Sequence, residues 1–187
     1  MEEITKIARS IDYDVIENIV SDLKILKEMK GRVFVIGIGG SAGNASHMVN
    51  DLRKLCEIEA YAPTDNVSEI TARTNDEGFD TIFEEYLRIS NFDSYDMLFV
   101  LSVGGGNLEK NISVALCKGI NYARSKHGTI CGIVGRTDGY TVEHAHHCVK
   151  VPLTEEQRIT PHSEAFQTVV WHCIVSHPKI QIRKTKW

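Results

Sequence analysis

The chain has 187 residues, 42% of them hydrophobic and 25% charged, with a formal net charge of −4. That is enough chain to bury a core of its own, in the proportions of an ordinary water-soluble domain. The acid excess and the lack of a Lys/Arg block argue against nucleic acid as a ligand, no apolar run approaches the ~20 residues of a membrane span, and the opening MEEITKIARS lacks the basic and apolar regions of a signal peptide.

A cytoplasmic protein with neither nucleic-acid nor membrane partners is therefore expected. The five cysteines, Cys56, Cys117, Cys131, Cys148 and Cys173, form no CxxC pair. They read as reduced thiols, most of them buried.

In chain order, Asp14–Lys30 carries Val15, Ile16, Ile19, Val20, Leu23, Leu26 and Met29 at helical spacing. A strand follows at Val33–Ile38, then a helix at Ser41–Cys56 and a weak strand at Glu59–Ala62. Thr81–Ser90 reads as a helix, Met97–Val103 as a strand and Leu108–Lys126 as a helix. Thr129–Val134 and Cys148–Leu153 read as strands, and Ala165–Val175 as the last helix. No repeat or linker interrupts the run. The whole of 1–187 is expected to be one domain, with a helical extension over about residues 1–30.

Strands alternating with helices predict an α/β fold: a three-layer, five-stranded parallel sheet of flavodoxin-like order 2-1-3-4-5. Ligands in such sheets sit at the carboxyl ends of the strands, near the switch between the first and third. Both loops there are glycine-rich. Gly37-Ile38-Gly39-Gly40-Ser41 leads from strand to helix, and so, by the sequence, does Ser102-Val103-Gly104-Gly105-Gly106-Asn107. Such turns bring backbone N–H groups to an anion, though they also occur for structural reasons alone. Neither is a Walker A motif, since no Gly-Lys-Ser/Thr follows.

Further polar residues fall in a telling order: His47 and Asp51, then Asn75-Asp76-Glu77-Gly78-Phe79, then Ser102, then Thr160-Pro161 and His172. With the first loop, this series resembles the bacterial phosphoheptose isomerases of the sugar-isomerase (SIS) domain family, over about residues 13 to 176. The resemblance implies a homotetramer that interconverts a ketose and an aldose phosphate, sedoheptulose 7-phosphate and a heptose 7-phosphate, for surface glycans. It implies a divalent metal, usually Zn²⁺. The phosphate and sugar would lie on Gly39, Gly40, Ser41, Asn75, Asp76, Ser102, Gly104, Gly105 and Asn107. Two departures stand out. Ile38 replaces the Asn of a Gly-Asn-Gly-Gly-Ser loop, and the second loop keeps only Ser102 of a Ser-x-Ser-Gly-x-Ser pattern.

His47 and Asp51 are four apart, on one helix face, which suits either a plain side-chain pair or two ligands of one ion. On the pattern alone His172 reads as a core histidine beside Trp171, and Glu164 as a first-turn carboxylate. The resemblance instead implies a metal set of His47, Asp51, Glu164 and His172, with Asp51 and His172 as the catalytic pair. Two imidazoles and two carboxylates suit Zn²⁺. Eight helical residues would hold Glu164 ~12 Å from His172. Either the helix begins after Glu164, or two subunits share the ion, or Glu164 stays off it; sharing is the expectation. The alternative function is a non-catalytic SIS protein, a regulator or tetrameric adaptor that binds a sugar phosphate. The His144, His146 and His147 cluster reads as a polar loop, and Lys179 to Lys186 as a solvated tail or a subunit contact.

Overall fold

The computed structural model describes residues 1–185. Five strands make one parallel sheet: β1 Val33–Ile36, β2 Ala60–Tyr61, β3 Met97–Ser102, β4 Thr129–Val134 and β5 His147–Lys150. Their order is β2-β1-β3-β4-β5, as the sequence predicts. The register runs Val33 opposite Met97 and Met97 opposite Thr129, so the central strands start level; β3 and β4 end together at Ser102 and Val134, and β1 stops two residues earlier, at Ile36 opposite Val100.

Alternation along each strand sends side chains to two separate cores. Val33, Val35, Met97, Phe99, Leu101, Cys131, Ile133 and Val149 face one layer. Phe34, Ile36, Leu98, Val100 and Ile130 face the other. The first layer is built from α1 Glu2–Ser10, α2 Tyr13–Glu28, α3 Gly40–Cys56 and α8 Ile159–Val175; the second centres on α5 Ile82–Ile89 and α6 Val114–Ser125. The stripe of α2 is spent on this core through Ile16, Ile19, Val20, Leu23 and Leu26. The remaining helices are α4 Val67–Asp76 and α7 Tyr140–His144.

Three differences from the sequence reading have local causes. Helix α6 begins at Val114 rather than Leu108, because Asn107 and Ile112 bond to each other as an antiparallel bridge and Ser113 turns left-handed at φ 48°. Helix α8 begins at Ile159, six residues earlier than expected, and so contains Glu164. The basic tail is docked: Ile180 is buried, and the N–H groups of Ile182 and Arg183 both bond to the Leu55 carbonyl. Lys186 lies outside the described residues. Among the described residues, no helix is long and apolar enough to cross a membrane.

Candidate functional site

Strand β1 hands over to α3 through a turn that only glycine completes. A Cβ on Gly37 would stand 2.6 Å from the Ser41 carbonyl oxygen, and Gly39 holds φ 66° and ψ −128°. The turn leaves α3 without a side-chain cap. Ser41 is buried, and its hydroxyl accepts a hydrogen bond from Gln167 Nε2 at 3.0 Å.

One turn further on, Asn44 donates to the Glu164 carbonyl and to Gln167 Oε1, both at 3.0 Å, and accepts from the Thr168 hydroxyl at 2.8 Å. His47 then meets Trp171, ring centroids 4.7 Å apart. Partners advance together along both chains, so α3 and α8 run parallel, joined by a polar seam. The sequence reading missed Asn44, Gln167 and Thr168. Their signal was present: Ser41, Asn44, His47 and Asp51 recur at steps of three and four on α3, and Gln167, Thr168 and His172 stand three, four and eight residues after Glu164 on α8.

The seam ends in three metal-capable groups. His47 Nε2 and His172 Nε2 each lie 3.9 Å from Asp51 Oδ2, and one ligand atom from each residue falls within 4.8 Å of the others. His172 Nδ1 lies 2.8 Å from the Thr168 carbonyl, which fixes the tautomer that leaves Nε2 with its lone pair toward Asp51. Asp51 Oδ1 accepts from Asn50 Nδ2 at 2.8 Å, so Oδ2 is the oxygen free to ligate. Two imidazoles and a carboxylate gathered this closely are a donor set that suits a divalent ion of the zinc type. The two histidine side chains are about half exposed, at 56% and 47%, whereas Asp51 is 13% exposed.

Glu164 stands apart from this trio. It lies on α8 two turns before His172, and its carboxyl group rests on Gly40, where a Cβ would meet all three carboxyl atoms at 2.6 Å. The arrangement in which the helix begins after Glu164 is thereby excluded.

The second loop is folded differently from a strand-to-helix turn. Ser102 Oγ accepts from the Gly105 N–H at 3.0 Å, and the Asn107 N–H is bonded to Ile112. Gly105 and Gly106 have φ of 74° and 83°, and their carbonyls receive the N–H groups of Thr141 and Tyr140. Cys117 lies beneath Gly106, and burial pushes its thiol up from the ordinary value. Asn75 and Asp76 sit exposed in the last turn of α4, bonded to each other. The histidine cluster scatters: His144 meets Arg124, His146 accepts from the Ile130 N–H, and His147 faces Asp22 at 3.4 Å.

No family model matches the chain. A curated phosphoheptose isomerase of Rhodospirillum rubrum is 31% identical over 149 residues, 77% of this chain and 73% of that protein. The chain belongs to the phosphoheptose isomerase family. A second member, from Mycobacterium tuberculosis, is 30% identical over 151 residues, 78% of this chain and 71% of its own length. The fold agrees with that membership. The solved phosphoheptose isomerase of Neisseria gonorrhoeae superposes with a TM-score of 0.78 over 92% of this chain and 90% of that one, at 22% identity. That of Francisella tularensis gives 0.79 over 93% and 89%, at 20% identity. The family is one of sugar-phosphate isomerases with the SIS fold, the class the motif order resembles.

Proposed function

We propose that the protein is a metal-dependent aldose–ketose isomerase acting on sedoheptulose 7-phosphate and a heptose 7-phosphate, for the supply of heptose to surface glycans. The observation that carries the reading is the meeting of His47, Asp51 and His172 from two helices, in a chain whose relatives are named phosphoheptose isomerases.

A divalent ion held by the three, zinc first by its donor set, would polarise the sugar carbonyl and hold the charge that develops on its oxygen. The remaining work belongs to the chain. Asp51 takes the proton from one of the two carbons C1 and C2 and returns it to the other, through an enediol. His172, its ring fixed by the Thr168 carbonyl, would hold the ion through Nε2, and the proton that moves between the two oxygens passes through water. His47 holds the third corner and orients the trio against Trp171.

The glycine loops at the carboxyl edge hold the phosphate end, with Asn75 and Asp76 contacting the sugar. The active assembly is a homotetramer. In support, Tyr13 and Ile25 on α2, Met29 just after it and Val169 on α8 are exposed, and the two histidines of the trio are about half exposed. The chain is one domain, since both cores share a single sheet. A reducing, cytoplasmic setting suits its five free cysteines.

The test is turnover of sedoheptulose 7-phosphate by the purified protein, as isolated, after chelation, and after reloading with Zn²⁺. Activity lost on chelation and restored by the metal is expected. Metal-loaded protein that binds the sugar phosphate without turning it over would make it the non-catalytic regulator instead.

A further inference from the structure

Sequence neighbours on a helix point about 100° apart, and α8 divides positions 171 and 172 accordingly. Trp171 faces the core and is fully buried, while His172 stands at the surface. Their rings still meet. His172 folds back over the indole, with centroids 3.6 Å apart and planes 26° from parallel. The contact of its Nδ1 with the Thr168 carbonyl, one turn earlier, holds the ring in that fold. His47 reaches the same indole from α3, in an edge contact with centroids 4.7 Å apart and planes inclined by 66°. The two imidazoles are themselves 5.4 Å apart and nearly perpendicular, at 89°. One buried side chain therefore sets two half-exposed ones that come from different helices.

Packing alone does not explain an indole at this position. Trp171 Nε1 is buried and has no hydrogen-bond partner among the described residues. A buried donor without an acceptor costs stability, and a phenyl ring would fill much of the same space without one. What the indole adds is a broad, electron-rich face, the strongest among the aromatic side chains toward positive charge. An imidazole that ligates a divalent ion becomes electron-poor, and against that face the change is favourable.

We infer that Trp171 is a positioning residue for His47 and His172: it sets both imidazoles beside Asp51 before an ion arrives, and its face favours them once they ligate. This role rests on the metal-dependent reading above, and goes beyond it in naming a side chain that supplies no ligand atom. Removing the indole leaves all three ligand atoms in the chain. The rings lose their common wall, and part of the binding free energy then goes into ordering them.

The experiment is calorimetric titration of the full chain, after chelation, with Zn²⁺ in the parent and in Trp171→Phe, Trp171→Leu and Leu23→Ala. Leu23, on α2, is fully buried in the same layer and serves as the control for damaged packing. Trp171→Leu is expected to weaken Zn²⁺ binding about 10–100-fold, as removal of the outer partners of metal ligands does. Trp171→Phe keeps an aromatic face and should return to within about tenfold of the parent. Leu23→Ala should bind as the parent does, although its unfolding midpoint falls. Emission gives a second readout. The other tryptophan, Trp187, lies outside the described residues, so a Trp187→Phe background leaves Trp171 as the reporter. Zn²⁺ should change that emission saturably, at the midpoint found by calorimetry. Parent-like Zn²⁺ affinity in Trp171→Leu, equal losses in Trp171→Leu and Leu23→Ala, or an emission blind to a binding event that calorimetry sees would each overturn the assignment. A parent chain that takes up no Zn²⁺ would overturn it together with the metal-dependent reading. Zn²⁺ binding that follows Trp171 in a protein that never isomerises a sugar would leave the assignment standing and remove the isomerase alone.

Discussion

His172 Nε2 faces Asp51 Oδ2 across 3.9 Å, and the other nitrogen of the same ring is held 2.8 Å from the Thr168 carbonyl. A ring pinned on one side presents its lone pair on the other without paying to find the orientation. His47→Ala and His172→Ala should therefore each lose bound metal, measured by elemental analysis after gel filtration, and lose turnover with it. Asn50→Ala is the subtler case. It frees Asp51 Oδ1 and should cost about 10–100-fold in metal affinity, as removal of outer-shell partners does, with the fold intact by circular dichroism. Full metal occupancy in either histidine variant would take that residue out of the site.

Adjacent glycines in the first loop are glycine for different reasons, and stability should separate them. Gly39 has open space where a Cβ would go, but its φ of 66° with ψ −128° is a conformation that side chains disfavour. Gly39→Ala should destabilise by about 1–3 kcal/mol through backbone strain alone. Gly40 has ordinary geometry and a crowded Cβ position, filled by the Glu164 carboxyl group. That group is the end of a flexible chain and can swing aside, so Gly40→Ala should cost about 1 kcal/mol or less. The cost should vanish in Gly40→Ala combined with Glu164→Ala, a coupling read from a urea double-mutant cycle. Equal costs at 39 and 40 would contradict the distinction.

The Arg32–Asp96 pair fastens the amino-terminal edge of the sheet, opposite the site. Asp96 is 2% exposed and accepts from the Arg32 N–H and Nε at 3.0 Å, from Arg32 Nη2 at 2.6 Å and from the Asp93 N–H at 3.1 Å. Arg32 also caps the Ser90 and Asn91 carbonyls after α5. Removing the carboxylate leaves a half-buried guanidinium and two N–H groups without their acceptor. Asp96→Ala should lower stability by about 3–5 kcal/mol in urea denaturation, the usual result of breaking one side of a buried pair. A loss below about 1 kcal/mol would show that solvent replaces the carboxylate freely.

Much of this was legible in the sequence, and the reasons are specific. The strand order followed from five apolar runs and right-handed crossovers, because a parallel sheet buried on both faces leaves little else for Val33, Met97 and Thr129 to do. His47 and Asp51 were legible as one face of a helix. Their meeting with His172 was legible only through the family resemblance, since nothing local fixes which way α8 runs against α3. That direction depends on Asn44 and Gln167, side chains that mean little until they face each other. The start of α6 was misplaced because Leu108 and Ile112 extend its apolar spacing backwards. In the structure they belong to a hairpin held by one bridge and a left-handed Ser113.

Glu3 ties α1 to the start of α8. Its carboxylate meets His162 Nε2 at 2.7 Å and the Thr154 hydroxyl at 3.2 Å, and it pairs with Arg158. The His162 hydrogen bond, helped by Thr154 and Arg158 against the opposing effect of burial, holds the Glu3 carboxyl below its ordinary value of 4.5. The sign follows from proton counting. The unfolded or undocked segment binds the proton more readily, so this contribution is complete above the ordinary glutamate range and is lost as pH falls through it and past the folded value. Once Glu3 is neutral, Arg158 and His162 lose the carboxylate that joins them, which loosens the contact further. Helix α1 should therefore give up amide protection before the sheet does. Hydrogen exchange by mass spectrometry at about pH 6 and about pH 3.5, corrected for intrinsic rates, should show α1 amides deprotected at the lower pH while β3 and β4 remain protected. In Glu3→Gln the α1 amides should exchange faster at both values, with most of the pH dependence gone. Identical α1 protection at the two pH values in the parent chain would mean that Ile7, fully buried in the core, holds the helix without the ion pair.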